Sequence, residues 1–248
     1  MNISTIVCSD PREDTPVDKL VAFMNEFPDV EIGVQASGFK IGPGTARRAW
    51  FDELLRAVRN NPRRLNLAMH VNMEYCAHMC RGLIHDDLAQ WFFAVRPDDN
   101  MPIIKRWQIN YSENKCSINP YSLMDMLNTY SDYEFIMQHD STPASNMVLD
   151  RLKGIRASNK FSVLYNASVA SGSPVQWRAP YARYKTGYSG GLGPENIAGQ
   201  LDNIAAVAGR RIIWVDANDT LKTPGTDTFD IARAREYVLA TRQWLKQR

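Results

Sequence analysis

Eight times along this chain of 248 residues, a short run rich in β-branched and aromatic residues gives way to a helical pattern or a loop. The strand-like runs cover residues 5–8, 30–36, 65–71, 103–111, 134–139, 161–166, 185–189 and 211–216. Between them lie helical patterns: one carries Leu20, Val21, Phe23 and Met24 on its apolar side, and others cover 46–59, 75–95 (one or two helices), 121–129 and 144–155. The sixth run is followed by a long loop, the seventh by a helix over 194–207, and the eighth by a closing helix over 229–245. Alternation of this kind specifies a parallel sheet, and eight units at a length near 250 residues favour closure into a (β/α)8 TIM barrel forming a single domain over 1–248. The open doubly wound sheet is the rival, but the first turn, 8–14, lacks the glycine fingerprint of dinucleotide-binding sheets. No linker or low-complexity tract divides the chain.

A formal net charge of +2 gives no electrostatic footprint for nucleic acid, so a small molecule is the expected partner. No apolar run approaches the ~20 residues that span a bilayer, and residues 1–13 do not resemble a secretory leader, which points to a cytoplasmic protein without a membrane partner. Four cysteines, irregularly spaced, are too few for a disulfide scaffold and are expected as thiols. A monomer or homodimer fits these totals.

Barrel enzymes draw their chemistry from the C-terminal ends of the strands. Those ends offer Cys8, Gln35, His70 or Asn72, Asn110, His139 with Asp140, Asn166, Ser189 to Gly191, and Asp216 to Asp219. Cys8 is the sharpest candidate as a base or nucleophile, against the alternative of a small buried hydrophobe. His139 and Asp140 are a reserve acid–base pair. Gly190 and Gly191, placed before a helix with Pro194 in its first turn, suit a phosphate, whose charge the helix N-terminus favours. A tight turn with no ligand is the alternative. Cys76, His78 and Cys80 look like metal ligands, but on a helix His78 points away from the two cysteines, and no third cysteine lies near Leu83. No metal site is expected.

The run Ser189-Gly190-Gly191-Leu192-Gly193-Pro194-Glu195-Asn196 closely resembles the phosphate-holding turn A-G-G-L-x-P-E-N of phosphoribosylanthranilate isomerases. Val215-Asp216 followed by Phe229-Asp230-Ile231 is similar to that family's last strand and helix, and Val71-Asn72 to its third strand end. The resemblance implies an Amadori rearrangement of a phosphoribosyl-amine in tryptophan biosynthesis, with a small phosphorylated substrate and no cofactor. It also implies Cys8 as base, Gly190 and Gly191 on the phosphate, and Asn166 where the family has its acidic aspartate. A carboxamide cannot donate that proton, so Asp216 or Asp140 would take over. The family's arginine after strand two is missing, leaving Gln35 and Lys40. The sixth loop offers Ser173, and the eighth offers Asn218 beside Asp219, whose charge would repel a phosphate. Three functions follow: an isomerase, impaired or altered in substrate; a different sugar-phosphate or nucleotide enzyme on the same barrel; or a non-catalytic phosphosugar binder. Lys105 and Lys185 sit early in their strands and are expected away from the mouth.

Overall fold

The computed structural model describes residues 1–112, 116–139, 143–152, 161–167 and 176–248. Eight parallel strands close into a barrel in sequence order: β1 (Asn2–Ser9), β2 (Val30–Ala36), β3 (Asn66–Val71), β4 (Ile104–Ile109), β5 (Glu134–His139), β6 (Phe161–Asn166), β7 (Lys185–Ser189) and β8 (Ile212–Ala217). Closure is made by β1 against β8, from Asn2 opposite Ile212 to Cys8 opposite Ala217, with a register shift between Ile3 and Thr5. The helices among the described residues are α1 (Val17–Glu26), α2 (Gly38–Ile41), α3 (Ala46–Arg59), α4 (Met73–Met79), α5 (Asp86–Phe92), α6 (Pro120–Thr129), α7 (Pro143–Leu152), α8 (Ile197–Ala208) and α9 (Ile231–Lys246). None is long and apolar enough to cross a membrane.

Local chemistry sets where these helices begin. The Thr45 hydroxyl accepts from the Arg48 N–H ahead of α3, Asn119 caps α6 with Pro120 just inside it, and Asp230 accepts from Ala232 and Arg233 at the head of α9. The expected helix over 194–207 begins three residues later, at Ile197. Asn196 is the cause: its carboxamide accepts from the Gly193 N–H and donates to the Gly191 carbonyl, holding 191–196 as a turn ahead of the helix. The short α2, inside the glycine-bearing loop 37–44, has no counterpart in the sequence expectation.

Alternate residues of each strand face opposite sides of the sheet. Ile32, Val34, Leu67, Met69, Trp107, Ile109, Val163 and Val215 face outward and build the main core with the helices. Inside the barrel the apolar filling is small: Val7, Ile136, Leu164 and Trp214. Trp214 fits because β7 has a glycine beside it; a Cβ on Gly187 would lie 2.0 Å from the indole Cε2. Below this layer Arg106 donates to Glu31 at 2.5 Å, reaches Glu134 at 3.5 Å and lies over the Trp214 ring at 4.8 Å.

Gly187→Ala is therefore expected to lower stability by about 1–3 kcal/mol through overpacking. Combining it with Trp214→Leu should recover part of that loss, as a coupled pair does. Urea unfolding of both single variants and the double checks this; a Gly187→Ala midpoint equal to the parent's would contradict the packing.

Candidate active site

At the C-terminal ends of the strands a cavity of about 360 Å³ opens into the barrel. Its walls come from inward-facing positions one after another around the barrel: Gln35 on β2, His70 on β3, Gln108 on β4, Gln138 on β5, Asn166 on β6, Ser189 on β7 and Asp216 on β8. Asn72 and Asn110, just past β3 and β4, and Gly190, Gly191, Asn218, Asp219 and Thr220 complete the rim. A larger cavity of about 480 Å³ lies at the other end, where the strands start, among Arg64, Lys105, Asp132 and Glu134. Barrels of this type work at the opposite, C-terminal face.

The mouth is dominated by carboxamides, and they hold one another. Gln108 donates to Asn110 at 2.9 Å, Asn110 donates to Asn72 at 2.9 Å, and Asn72 donates to the His70 carbonyl at 3.2 Å. Asn166 donates to Gln138 at 3.2 Å. The Gln108 amide nitrogen also stands 3.4 Å from His70 Nδ1; because an amide NH2 only donates, Nδ1 accepts and the ring proton sits on Nε2. Burial, then the nearby Arg106 charge, lower the His70 pKa to about 3, so the imidazole is neutral near pH 7.

Asp216 is the group whose proton can move. It is 5 % exposed and accepts from the Ser9 hydroxyl at 2.5 Å. Burial raises its pKa to about 7; Glu31 pushes the same way, while the Ser9 hydrogen bond and Arg106 oppose. A carboxyl poised near neutrality can both give and take a proton. At the edge, the exposed Asp219 is paired with Lys222 at 2.9 Å, and Lys222 also holds Asp227 at 2.7 Å. The charge expected to repel a phosphate is thus balanced from outside the cavity.

The structure brings Gln35, Asn166, Gly190, Gly191, Asp216 and Asn218 together in one cavity, with the buried Oδ1 of Asn218 lacking a protein partner. Gly190 and Gly191 have φ of 106° and 70°, a left-handed backbone that a side chain would strain. Cys8 is a correction. It pairs with Ile32 and, like Ile32, faces the helices; its thiol is wholly buried, and burial followed by the Asp216 charge raises its pKa far from any thiolate. A base must reach its substrate, and here the inward position is Ser9. His139 also faces outward, within reach of Asn146 and Tyr181. Lys40 lies in a neighbouring pocket with Arg12, Glu13 and Arg47, its ammonium beside the Phe39 ring. Ser173 and Asp140 lie outside the described residues. Lys105 and Lys185 are at the far end of the barrel, the latter 3.7 Å from Glu134.

The sequence reading passed over Ser9, Gln108 and Gln138. The available signal was alternation: Gln108 with Asn110, and Gln138 between outward Met137 and His139, are polar residues at inward spacing. The expectation of no metal took Cys76, His78 and Cys80 alone. His78 does turn away, to the Glu74 carbonyl and the His85 ring, but Cys116 joins the two cysteines from another segment.

The molecule is thus an eight-stranded α/β barrel with a polar, mostly uncharged mouth holding one carboxyl of raised pKa. No family model matches the sequence, and no curated protein matches it. Among solved structures it is similar to phosphoribosylanthranilate isomerase from Thermotoga maritima, in the form of monomers generated from that dimeric protein. The identity is 12 % over 98 % of this chain and 100 % of that one, with a TM-score of 0.53. The likeness is one of fold.

The Asp216 pKa has a consequence for stability. Between about pH 4 and pH 7 the folded chain keeps a proton that the unfolded chain has released, so folding loses stability as pH rises through that window, by roughly 4 kcal/mol at most. Asp216→Asn, which can still accept from Ser9, should melt close to the parent at pH 4 and clearly above it at pH 8. An equal offset at both pH values would show that the carboxyl is not protonated in the fold.

Proposed function

We propose that this barrel is a phosphoribosylanthranilate isomerase-like enzyme that converts a phosphorylated, N-linked aminoaldose to its aminoketose by proton transfer, with Asp216 as the acid and base. The observation that carries this reading is the inward carboxyl of Asp216, with its pKa near 7, at the floor of a cavity sized for a small molecule. Protonated Asp216 gives its proton to the ring oxygen; the C1′–O bond breaks as the nitrogen lone pair forms C1′=N. The carboxylate then removes the C2′ proton, leaving an enamine. Asp216 returns that proton to C1′ and takes the O2′ proton, which completes the ketone and restores the protonated carboxyl. No external oxidant or reductant enters.

Gly190 and Gly191, ahead of α8, would carry the phosphate on backbone N–H groups. Gln35, Asn166 and Asn218 would hold the sugar oxygens, and Ser9 would fix the Asp216 carboxyl. The pairing of these residues with a substrate rests on their shared cavity and on the likeness of the 189–196 turn to the isomerase turn. A specific observation favours a second reading, a sugar-phosphate binder without turnover: no lysine or arginine lines the mouth among the described residues.

Fluorescence assays of phosphoribosylanthranilate consumption, with calorimetric binding of ribose 5-phosphate and ribose alongside, separate these readings. The isomerase should be slow, with kcat/KM falling as pH rises above about 7, because the free enzyme must hold the proton it donates first. Asp216→Asn should lose about 10²–10⁴-fold, Asn166→Asp should raise the rate, and Cys8→Ala should stay within about threefold of the parent. Turnover that survives Asp216→Asn overturns the assignment. Binding of ribose 5-phosphate with no turnover in any variant establishes the binder instead.

A further inference from the structure

Beside the mouth, and independent of its chemistry, three thiols meet. Cys76 and Cys80 stand one turn apart at the end of α4, and Cys116 comes from the segment between β4 and α6. Their sulfurs form a nearly equilateral triangle: 3.9 Å between Cys76 and Cys80, 3.8 Å between Cys76 and Cys116, and 3.7 Å between Cys80 and Cys116. We propose that this triangle is a binding site for a single thiophilic d10 cation, zinc, held by the thiolates of Cys76, Cys80 and Cys116.

The distances favour one ion over the other fates of clustered cysteines. A disulfide needs sulfurs about 2.05 Å apart and uses only two of the three. An iron–sulfur cluster holds its cysteine sulfurs on different irons around a multi-atom core, farther apart than the edges of this triangle. A tetrahedral zinc with Zn–S near 2.3 Å places any two of its sulfurs about 3.8 Å apart, the edge of the triangle observed. All three thiols reach one another without movement, since their ligand atoms lie within 4.8 Å.

The surroundings suit a three-thiolate site of net charge −1. Cys76 and Cys80 are 2 % and 0 % exposed, and Cys116 is half-buried, so the site is closed on its inner side and open where Cys116 meets solvent. The Arg81 guanidinium lies near enough to Cys116 to favour its thiolate. Hydrogen bonding with the other two thiols is the first cause that lowers the Cys116 pKa, while the Cys80 pKa is raised. Among the described residues no fourth histidine, cysteine or carboxylate joins the group, which leaves the fourth vertex of a tetrahedral ion for a further donor.

The protein around the triangle is already drawn together. The Asn119 N–H donates to the Cys80 carbonyl at 2.8 Å, and Gly82, at φ 77°, passes so close to α6 that a Cβ there would lie 2.2 Å from the Ser122 carbonyl oxygen. The ion would clamp the loops after β3 and β4, which also carry Asn72 and Asn110 of the mouth. Loading releases the thiol protons.

The test uses the full chain, free of any affinity tag and kept reduced. Cobalt(II) added to the metal-free parent should give thiolate-to-cobalt charge-transfer absorption and the intense visible bands of a tetrahedral site, saturating at about one ion per chain. Zinc should displace it, and the zinc-loaded protein should melt several degrees above the metal-free form. His78→Ala should bind as the parent does, whereas Cys116→Ser, which leaves α4 intact, should lose affinity at least tenfold. Absence of the charge-transfer band in folded, fully reduced parent would overturn the proposal without recourse to any variant. So would unchanged cobalt affinity in Cys116→Ser. Saturation by copper(I) with no response to cobalt or zinc would replace the assigned ion and overturn it equally.

Discussion

The interior of this barrel depends on one buried cation. Arg106 projects from β4 into the space the strands enclose, where an unpaired charge would cost several kcal/mol. Glu31 meets it from β2 and Glu134 from β5, with Lys185 on the outer side of Glu134, so two cations face two carboxylates across the strand starts. The guanidinium plane also covers Trp214, whose indole exists there only because β7 supplies Gly187. Strands β2, β4, β5, β7 and β8 are thereby tied through one side chain. Burial opposes the Arg106 charge, and the two carboxylates more than restore it, raising its pKa.

The same charge reaches upward into the mouth. After burial it is the second cause holding His70 neutral, and it works against the burial that raises the Asp216 pKa. The two titrating residues at the floor are therefore displaced in opposite directions: the histidine loses its proton and the aspartic acid keeps one. Apart from Asp219, which is paired with Lys222 at the rim, the polar side chains of the rest of the lining are amides and hydroxyls, which do not titrate near neutral pH. A site built this way offers one proton near neutrality against an invariant polar background.

The sequence carried the barrel because its signal is repetition: β2, β5 and β6 fall at the bounds the β-branched and aromatic runs indicate. It was poor at saying which way a strand end faces. In a half-exposed strand, polar and apolar residues alternate and the inward set is visible. A parallel barrel strand buried on both faces reads as a continuous apolar run, so Ile6-Val7-Cys8 gives no parity, and a shift of one residue exchanges the inside for the outside. That is why the family-like position of Cys8 misled while Ser9, one step on, holds the carboxyl. A register shift between Ile3 and Thr5 against β8 breaks the count further. Cys116 was invisible for another reason: it stands 36 residues from Cys80, and no local periodicity announces a contact of that range.

The turn at 189–196 shows how a strong local match can leave the chemistry open. Its residues follow the isomerase turn closely, and the structure gives them a definite job in the fold: Asn196 closes the turn on Gly191 and Gly193, using the Gly193 N–H itself. Thr220, from the loop after β8, donates to the Leu192 carbonyl and packs against Gly193 so closely that a Cβ there would lie 2.6 Å away. The seventh and eighth loops are thus joined without a ligand. What such a turn retains for an anion is the glycine pair facing the cavity, where a Cβ on Gly191 would meet open space. With Lys40 in the next pocket and Lys222 committed to Asp219 and Asp227, the described residues would offer a phosphate here backbone dipoles and the helix terminus, and no free cation. Such a site would bind a phosphate more weakly than one that adds a cation, and it would leave discrimination to the carboxamides across the mouth.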